Sequence, residues 1–195
     1  MRTATSILFA LLPLLAASCS DTRPDPLEGA MRASDEDSAI IEAAALDFLA
    51  NGNCWEGSGK DGIVVIDETL TSGYVFSNLR ETELPVDEWR GDLESGLPAL
   101  RERNAEERPI DWHFTDQSTI RDVVLRGEIR DAWDKAATLG KCVTTFALPG
   151  IYAEGQRATV VFNIAPEYHG RMFISSLRRV DGVWRVERRH DFEYI

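Results

Sequence analysis

The chain is short of the residues that usually announce chemistry. Among its 195 residues are three cysteines and three histidines. No Cys-x-x-Cys and no His-Glu-x-x-His is present, which excludes the familiar zinc-binding spacings. Asp111-x-His113-x-x-Asp116 and Glu167-x-His169 have some metal-like character, but scattered ligands of this kind are structural more often than functional, and no metal is expected. The absence of a Gly-x-Ser-x-Gly elbow excludes the usual α/β-hydrolase nucleophile. The glycine-rich run Asn53–Gly62 lacks the Lys-Ser/Thr ending of a phosphate-binding loop, so Gly57, Gly59 and Gly62 read as turn residues. No cysteine–histidine constellation suggests a thiol enzyme. Positive charge is scarce as well: 21 Lys and Arg stand against 33 Asp and Glu, for a net charge of −12. That balance argues against nucleic acid and against docking on an anionic bilayer. Carboxylates this abundant make any pair of them uninformative. No internal repeat is present. No catalytic residue and no cofactor are therefore assigned.

What is there begins with an address. Met1–Ser18 carries one charge, Arg2, followed by an apolar core from Ile7 to Ala17. The core is too short for a stable membrane span and matches a secretory signal. It ends Leu15-Ala16-Ala17-Ser18-Cys19, which resembles the lipobox of bacterial lipoproteins, although Leu usually stands three places before the cysteine and here that place is Ala16. The resemblance implies residues 1–18 as signal peptide and Cys19 as the lipidated N-terminus that anchors the chain to the bilayer. Ser20, rather than Asp, after the cysteine implies the outer membrane, facing the periplasm. Residues 19–37 contain Pro24 and Pro26 and show no periodicity, so they read as a disordered tether with a coil dimension of about 25 Å.

Residues 38–195 read as a single α+β domain. With 44% hydrophobic residues the chain can bury one core. Ser34-x-x-Asp37 has the spacing of a capping box, and Ile41, Ala45, Phe48 and Leu49 repeat at helical spacing up to Asn51-Gly52. Ile63–Ile66 reads as a short strand buried on both faces, closed by Asp67-Glu68-Thr69. Tyr74–Ser77 suggests a second short strand. Leu84-Pro85 opens a helix that Gly96 and Pro98 are expected to break before Leu100. Ile110–Phe114 reads as extended, and Ile120–Leu139 as holding a helix over Ile129, Trp133 and Ala136-Ala137 that ends at Gly140.

The organising element is the last third, read as an antiparallel β-meander of about four strands covered by the N-terminal helices. Asp181-Gly182 between two β-rich runs favours a two-residue type I′ turn, because both positions need positive φ. Pairing Val180 with Val183 sets a register: Arg179 opposite Trp184, Leu177 opposite Val186, Ser175 opposite Arg188, Phe173 opposite His190. These residues form the covered face, with Arg179 stacked on Trp184. Ile174, Ser176, Arg178, Arg185, Glu187 and Arg189 fall on the other, mostly solvent-exposed face. Ala158–Ile164 and Cys142–Leu148 supply two further strands, with a turn at Gly155-Gln156.

Phe146, Ile151, Ala158–Val161, Gly170, Phe173, Leu177, Asp181-Gly182, Trp184, Val186 and Tyr194-Ile195 together resemble a family of uncharacterised bacterial secreted and lipoprotein domains. The resemblance implies a fold class and no catalytic residues. The loop Pro166–Gly170 departs from it, since relatives tend to be glycine-rich there. A helix followed by a curved meander is also similar, more weakly, to NTF2-like domains, which enclose a pocket.

Three functional expectations follow. In the first, the chain is a membrane-anchored envelope module that binds a small molecule or an envelope protein without catalysis. The second is an NTF2-like enzyme or small-ligand-binding protein with a pocket around Arg188 and His190, and with His113 nearby. The third is an envelope structural or stress protein. Ser175, Arg188 and His190 are the candidate ligand-binding residues. A buried Arg188 would need an anion or an internal acid, with Asp67, Glu68 and Asp111 as candidates. In an exported chain Cys54 and Cys142 are expected to pair. That bridge would close a loop of about 90 residues and stabilise by about 4–5 kcal/mol in the chain-entropy model.

Overall fold

A computed structural model describes residues 30–51, 62–66, 73, 90–106, 108–123, 142–164 and 171–193. The fold is α+β. Among the described residues two helices, α1 (Asp35–Asn51) and α2 (Arg90–Arg103), accompany nine strands: β1 (Met31–Arg32), β2 (Ile63–Ile66), β3 (Ile110–Asp111), β4 (Ile120–Val123), β5 (Cys142–Phe146), β6 (Gly150–Tyr152), β7 (Arg157–Ile164), β8 (Arg171–Val180) and β9 (Val183–Glu193). The main sheet runs β4-β2-β5-β7-β8-β9, with β6 also on β7. The β4-β2-β5 part is parallel and β5-β7-β8-β9 is the expected antiparallel meander. β1 and β3 form a separate parallel pair.

The meander forms where alternation and turn chemistry agree. Asp181 and Gly182 have φ of 52° and 81°, as a type I′ turn demands. Ala153–Gln156 turns the chain between β6 and β7, with Ala153 and Glu154 also at positive φ. β5 and β6 act as one interrupted strand along β7: Phe146 pairs with Phe162, the Ala147 amide donates to Val161 O, and Gly150 pairs with Thr159. β2 is buried along its whole length between two parallel neighbours, which is why it is continuously apolar.

α1 covers one face of the sheet. The Phe48 ring meets Phe162 at 5.8 Å and Phe173 at 5.0 Å, both edge-on, while Phe162 stacks on Phe146 and on Phe173. Ala158, Val160, Leu177 and Trp184 continue this core. The helix starts as the capping box foretold: the Asp37 amide donates to Ser34 Oγ at 3.0 Å, and Ser34 Oγ donates to Asp37 Oδ2 at 2.7 Å. Asp37 is also gripped by both terminal nitrogens of Arg103, at 2.8 and 2.9 Å. That bidentate pair ties the end of α2 to the start of α1. Asn104 completes the corner by bonding the backbone of Leu100 and of Leu148.

Several sequence expectations are corrected. Residues 31–37 are not part of a disordered tether, because β1 and the first turn of α1 lie there and pack: Ala33 and Asp37 are buried. α2 runs unbroken through Gly96 and Pro98. Gly96 is present for packing, since a Cβ there would collide with Thr159 and meet the Tyr152 ring at 3.0 Å, and Gly150 faces the same helix with equal closeness. Ile120–Val123 is strand, paired with β2, at the start of a stretch read as holding a helix. The second sheet face is not solvent-exposed throughout, because Met172 to Leu177 are all buried. The segments Asp67–Thr69, Tyr74–Ser77, Leu84-Pro85, Ile129–Gly140 and Pro166–Gly170 lie outside the described residues. No helix among the described residues is long and apolar enough to cross a membrane.

Candidate functional site

The β8–β9 register follows expectation for four pairs and then departs. Val180↔Val183, Arg179↔Trp184, Arg178↔Arg185 and Leu177↔Val186 hold; the next pair is Ser176↔Arg188, and Glu187 is left without an opposite number. This β-bulge swaps the face of every following residue of β9. Ser175 then pairs with Arg189, Ile174 with His190 and Phe173 with Asp191. The candidate cluster Ser175, Arg188, His190 is therefore not assembled. Ser175 shares the α1 face with Arg189, while Arg188 and His190 belong to the opposite face. The physical reason lies at the bulge. Glu187 is held there by two cations, its carboxylate 2.8 Å from Arg178 Nε and 3.5 Å from Arg157 Nη1. Strict alternation would have pointed Arg188 at the apolar core; the extra residue keeps Arg188 on the outer face.

The arginine that does lie against the core is Arg189. Its Nη1 is 2.7 Å from Asp47 Oδ2, and its guanidinium lies 5.5 Å from the centroid of the Phe48 ring. That acid comes from α1. Arg179 lies 6.0 Å from the Trp184 centroid, as expected, and also pairs with Glu36.

The opposite face of the meander carries a concentration of donors. Backbone register aligns Arg157, Arg178 and Arg185 in a row across β7, β8 and β9. The adjacent row is Thr159, Ser176 and Arg188, and the next is Val161, Ile174 and His190. Like charges placed directly opposite one another destabilise a sheet, so Glu187 is needed between Arg157 and Arg178. Arg185 is exposed and makes no ion pair among the described residues, and the Arg178 side chain is 52% exposed. In the adjacent row, Thr159 Oγ1 and Ser176 Oγ are buried with no hydrogen-bond partner. α2 passes over Thr159 at Gly96, so that end of the array is covered, and Arg178 and Arg185 are its exposed end. Leaving buried hydroxyls unpaired costs about 1–3 kcal/mol each. Apart from Glu187, every polar side chain in the two rows can donate. Period-two alternation hid this arrangement; the only sequence signal was the density of arginine in β8 and β9.

The other sequence candidates are separate. Arg32 Nε donates to His113 Nε2 at 2.7 Å, and Asp111 Oδ2 stands 3.5 Å from the same nitrogen. The His113 amide donates to Ser38 Oγ on α1, so His113 belongs to the β1–β3 corner and is not brought to His190. Asp116 turns away to accept from the Ser118 hydroxyl and from the amides of Ser118 and Thr119, which holds its carboxyl below the ordinary value. Among the described residues no three His, Cys, Asp or Glu side chains come together as a metal-binding group. Cys142 is disulfide-bonded. Its partner lies outside the described residues, as do Cys19, Cys54, Glu167 and His169.

The chain matches no protein-family model, no curated protein and no solved structure.

Proposed function

We propose that the chain is a lipid-anchored module of the bacterial cell envelope, held to the outer membrane through Cys19, that binds a small molecule or an envelope protein without transforming it. The observation that carries the export reading is the disulfide at Cys142, because disulfides persist in oxidising compartments such as the periplasm and are rare in the cytosol. The lipobox-like Leu15–Cys19 supports the anchor. The binding reading is supported by the donor-rich rows on the face away from α1, where charge and unpaired hydroxyls are kept at a cost to stability. A pocket shared by Arg188, His190 and Ser175 has no support from the register, which puts Ser175 on the other face.

The test is Cys19→Ala. The variant is expected to leave the membrane fraction for the soluble periplasmic fraction and to lose the mass of the lipid. Unchanged fractionation and unchanged mass would end the lipoprotein reading.

A further inference from the structure

We propose that Arg32, Asp111 and His113 form a proton-operated latch, which holds strand β1 on β3 while His113 is neutral and loosens it when His113 takes up a proton. The latch lies at the β1–β3 corner, apart from the donor-rich face of the meander, and does not depend on the reading of the chain as a binding module.

His113 Nε2 has two neighbours with opposite requirements. Arg32 Nε donates to it at 2.7 Å, which uses the nitrogen's lone pair. A guanidinium has no acceptor and stays charged, so this bond exists only while Nε2 carries no proton. Asp111 Oδ2 stands 3.5 Å from the same nitrogen and can accept from it only once Nε2 is protonated. Imidazole is the side chain that changes charge between about pH 5 and 8. Protonation therefore removes the acceptor of Arg32, sets two cations at contact distance and leaves them one carboxylate, to which the imidazolium turns.

The two sides of the latch are unequally held. The His113 amide donates to Ser38 Oγ, which fixes that residue to α1. Strand β1 is two residues long, paired only with β3, with the Met31 amide on Pro109 O and the Ala33 amide on Asp111 O, both at 3.0 Å. One side-chain bond is a large fraction of what holds so short a strand, so β1 is the side that gives. The side chains of His113 and Asp111 are 35% and 34% exposed, and protons reach them without unfolding. Other charged groups on the neighbouring elements are engaged elsewhere or face solvent. Glu36 pairs with Arg179 and Asp37 with Arg103, Glu42 accepts from the Thr115 and Asp116 amides, and Asp116 accepts from Ser118 and Thr119. Arg108 reaches Met31 Sδ at 3.7 Å, and Asp35 is exposed. In sequence β1 lies between Cys19 and α1. Its release would add to the length of chain between the anchor and the domain, by up to about 3.5 Å for each residue freed.

The experiment follows hydrogen exchange of the Met31 and Ala33 amides in the mature lipidated protein in detergent, at about pH 8 and about pH 5.5, corrected for the intrinsic effect of pH on exchange. Protection of both amides is expected to fall about tenfold at the lower pH, as loss of one hydrogen bond to a charged group implies, while amides of β7 and β8 keep theirs. His113→Gln offers Arg32 an acceptor that does not titrate and should hold the protection at both pH values. Arg32→Met should lower it at both, without a pH response. Asp111→Asn removes the carboxylate that receives the imidazolium, so the fall should move to lower pH. Long-range proton–nitrogen NMR of the unmutated protein at about pH 8 should find His113 as the Nδ1–H tautomer, a reading that needs no variant to fold. Protection that does not change with pH, an equal fall in His113→Gln or Arg32→Met, an unmoved fall in Asp111→Asn, or the Nε2–H tautomer would each overturn the latch. Cys19→Ala should give the same exchange as the lipidated protein, so the latch and the anchor fail independently.

Discussion

Arg189 reaches across from β9 to Asp47 on α1, at 2.7 Å, with the Phe48 ring beneath its guanidinium. The pair sits at the margin of the core, its side chains 18% and 26% exposed. It joins the last strand of the meander to the C-terminal half of the first helix, 142 positions away in sequence. A partly desolvated pair of this kind contributes more than a surface bridge, and removing one member strands the other. Asp47→Asn and Arg189→Met are each expected to lower stability by about 1–2 kcal/mol. In a double-mutant cycle by urea denaturation they should couple by about 0.5–1.5 kcal/mol. Additive effects would show that Arg189 acts through packing on Phe48 alone.

Gly96 and Gly91 lie in the same helix and should respond in opposite directions. Alanine at Gly96 meets Thr159 and Tyr152, and the backbone of α2 already lies close against Gly150 of β6. A loss of about 1–3 kcal/mol is expected. Alanine at Gly91 meets nothing within 4 Å and should gain up to about 0.5–1 kcal/mol from helix propensity. Thermal denaturation of the two variants checks the pair, and a stable Gly96→Ala would contradict the close approach.

Asp116 supplies a pH dependence of definite sign. Its hydrogen bonds from Ser118 and Thr119 lower its folded-state value below 3.8. The stabilising contribution is therefore fully present above the ordinary carboxylate range. It is lost as pH falls through the depressed folded-state value. Carbon-detected NMR titration should place the Asp116 midpoint below that of exposed aspartates. Asp116→Asn should flatten this part of the acid limb of the stability curve.

Cys54 is the partner we propose for Cys142. Non-reducing peptide mapping of exported protein is expected to recover a Cys54–Cys142 peptide, and Cys54→Ala should lose about 2–5 kcal/mol relative to the oxidised protein. Recovery of Cys19 joined to Cys142 would overturn both the pairing and the lipidated cysteine.

Local signals determined a good part of this protein. The Asp181-Gly182 turn, the Ser34–Asp37 cap, the fully buried β2 and the first four pairs of the last hairpin are all legible in order along the chain, because each depends on residues a few positions apart. The rest depended on partners distant in sequence. Glu187 bulges out because Arg157 and Arg178 are held beside it by β7 and β8, and one extra residue then reverses the face of all that follow. Gly96 stays inside an unbroken helix because Thr159 and Gly150 press against it. β1 is ordered because β3 lies alongside. Alternation and propensity carry no information about such neighbours. For that reason the sequence placed Arg188 against the core, and only the tertiary structure put Arg189 there and gathered the donors on the other face.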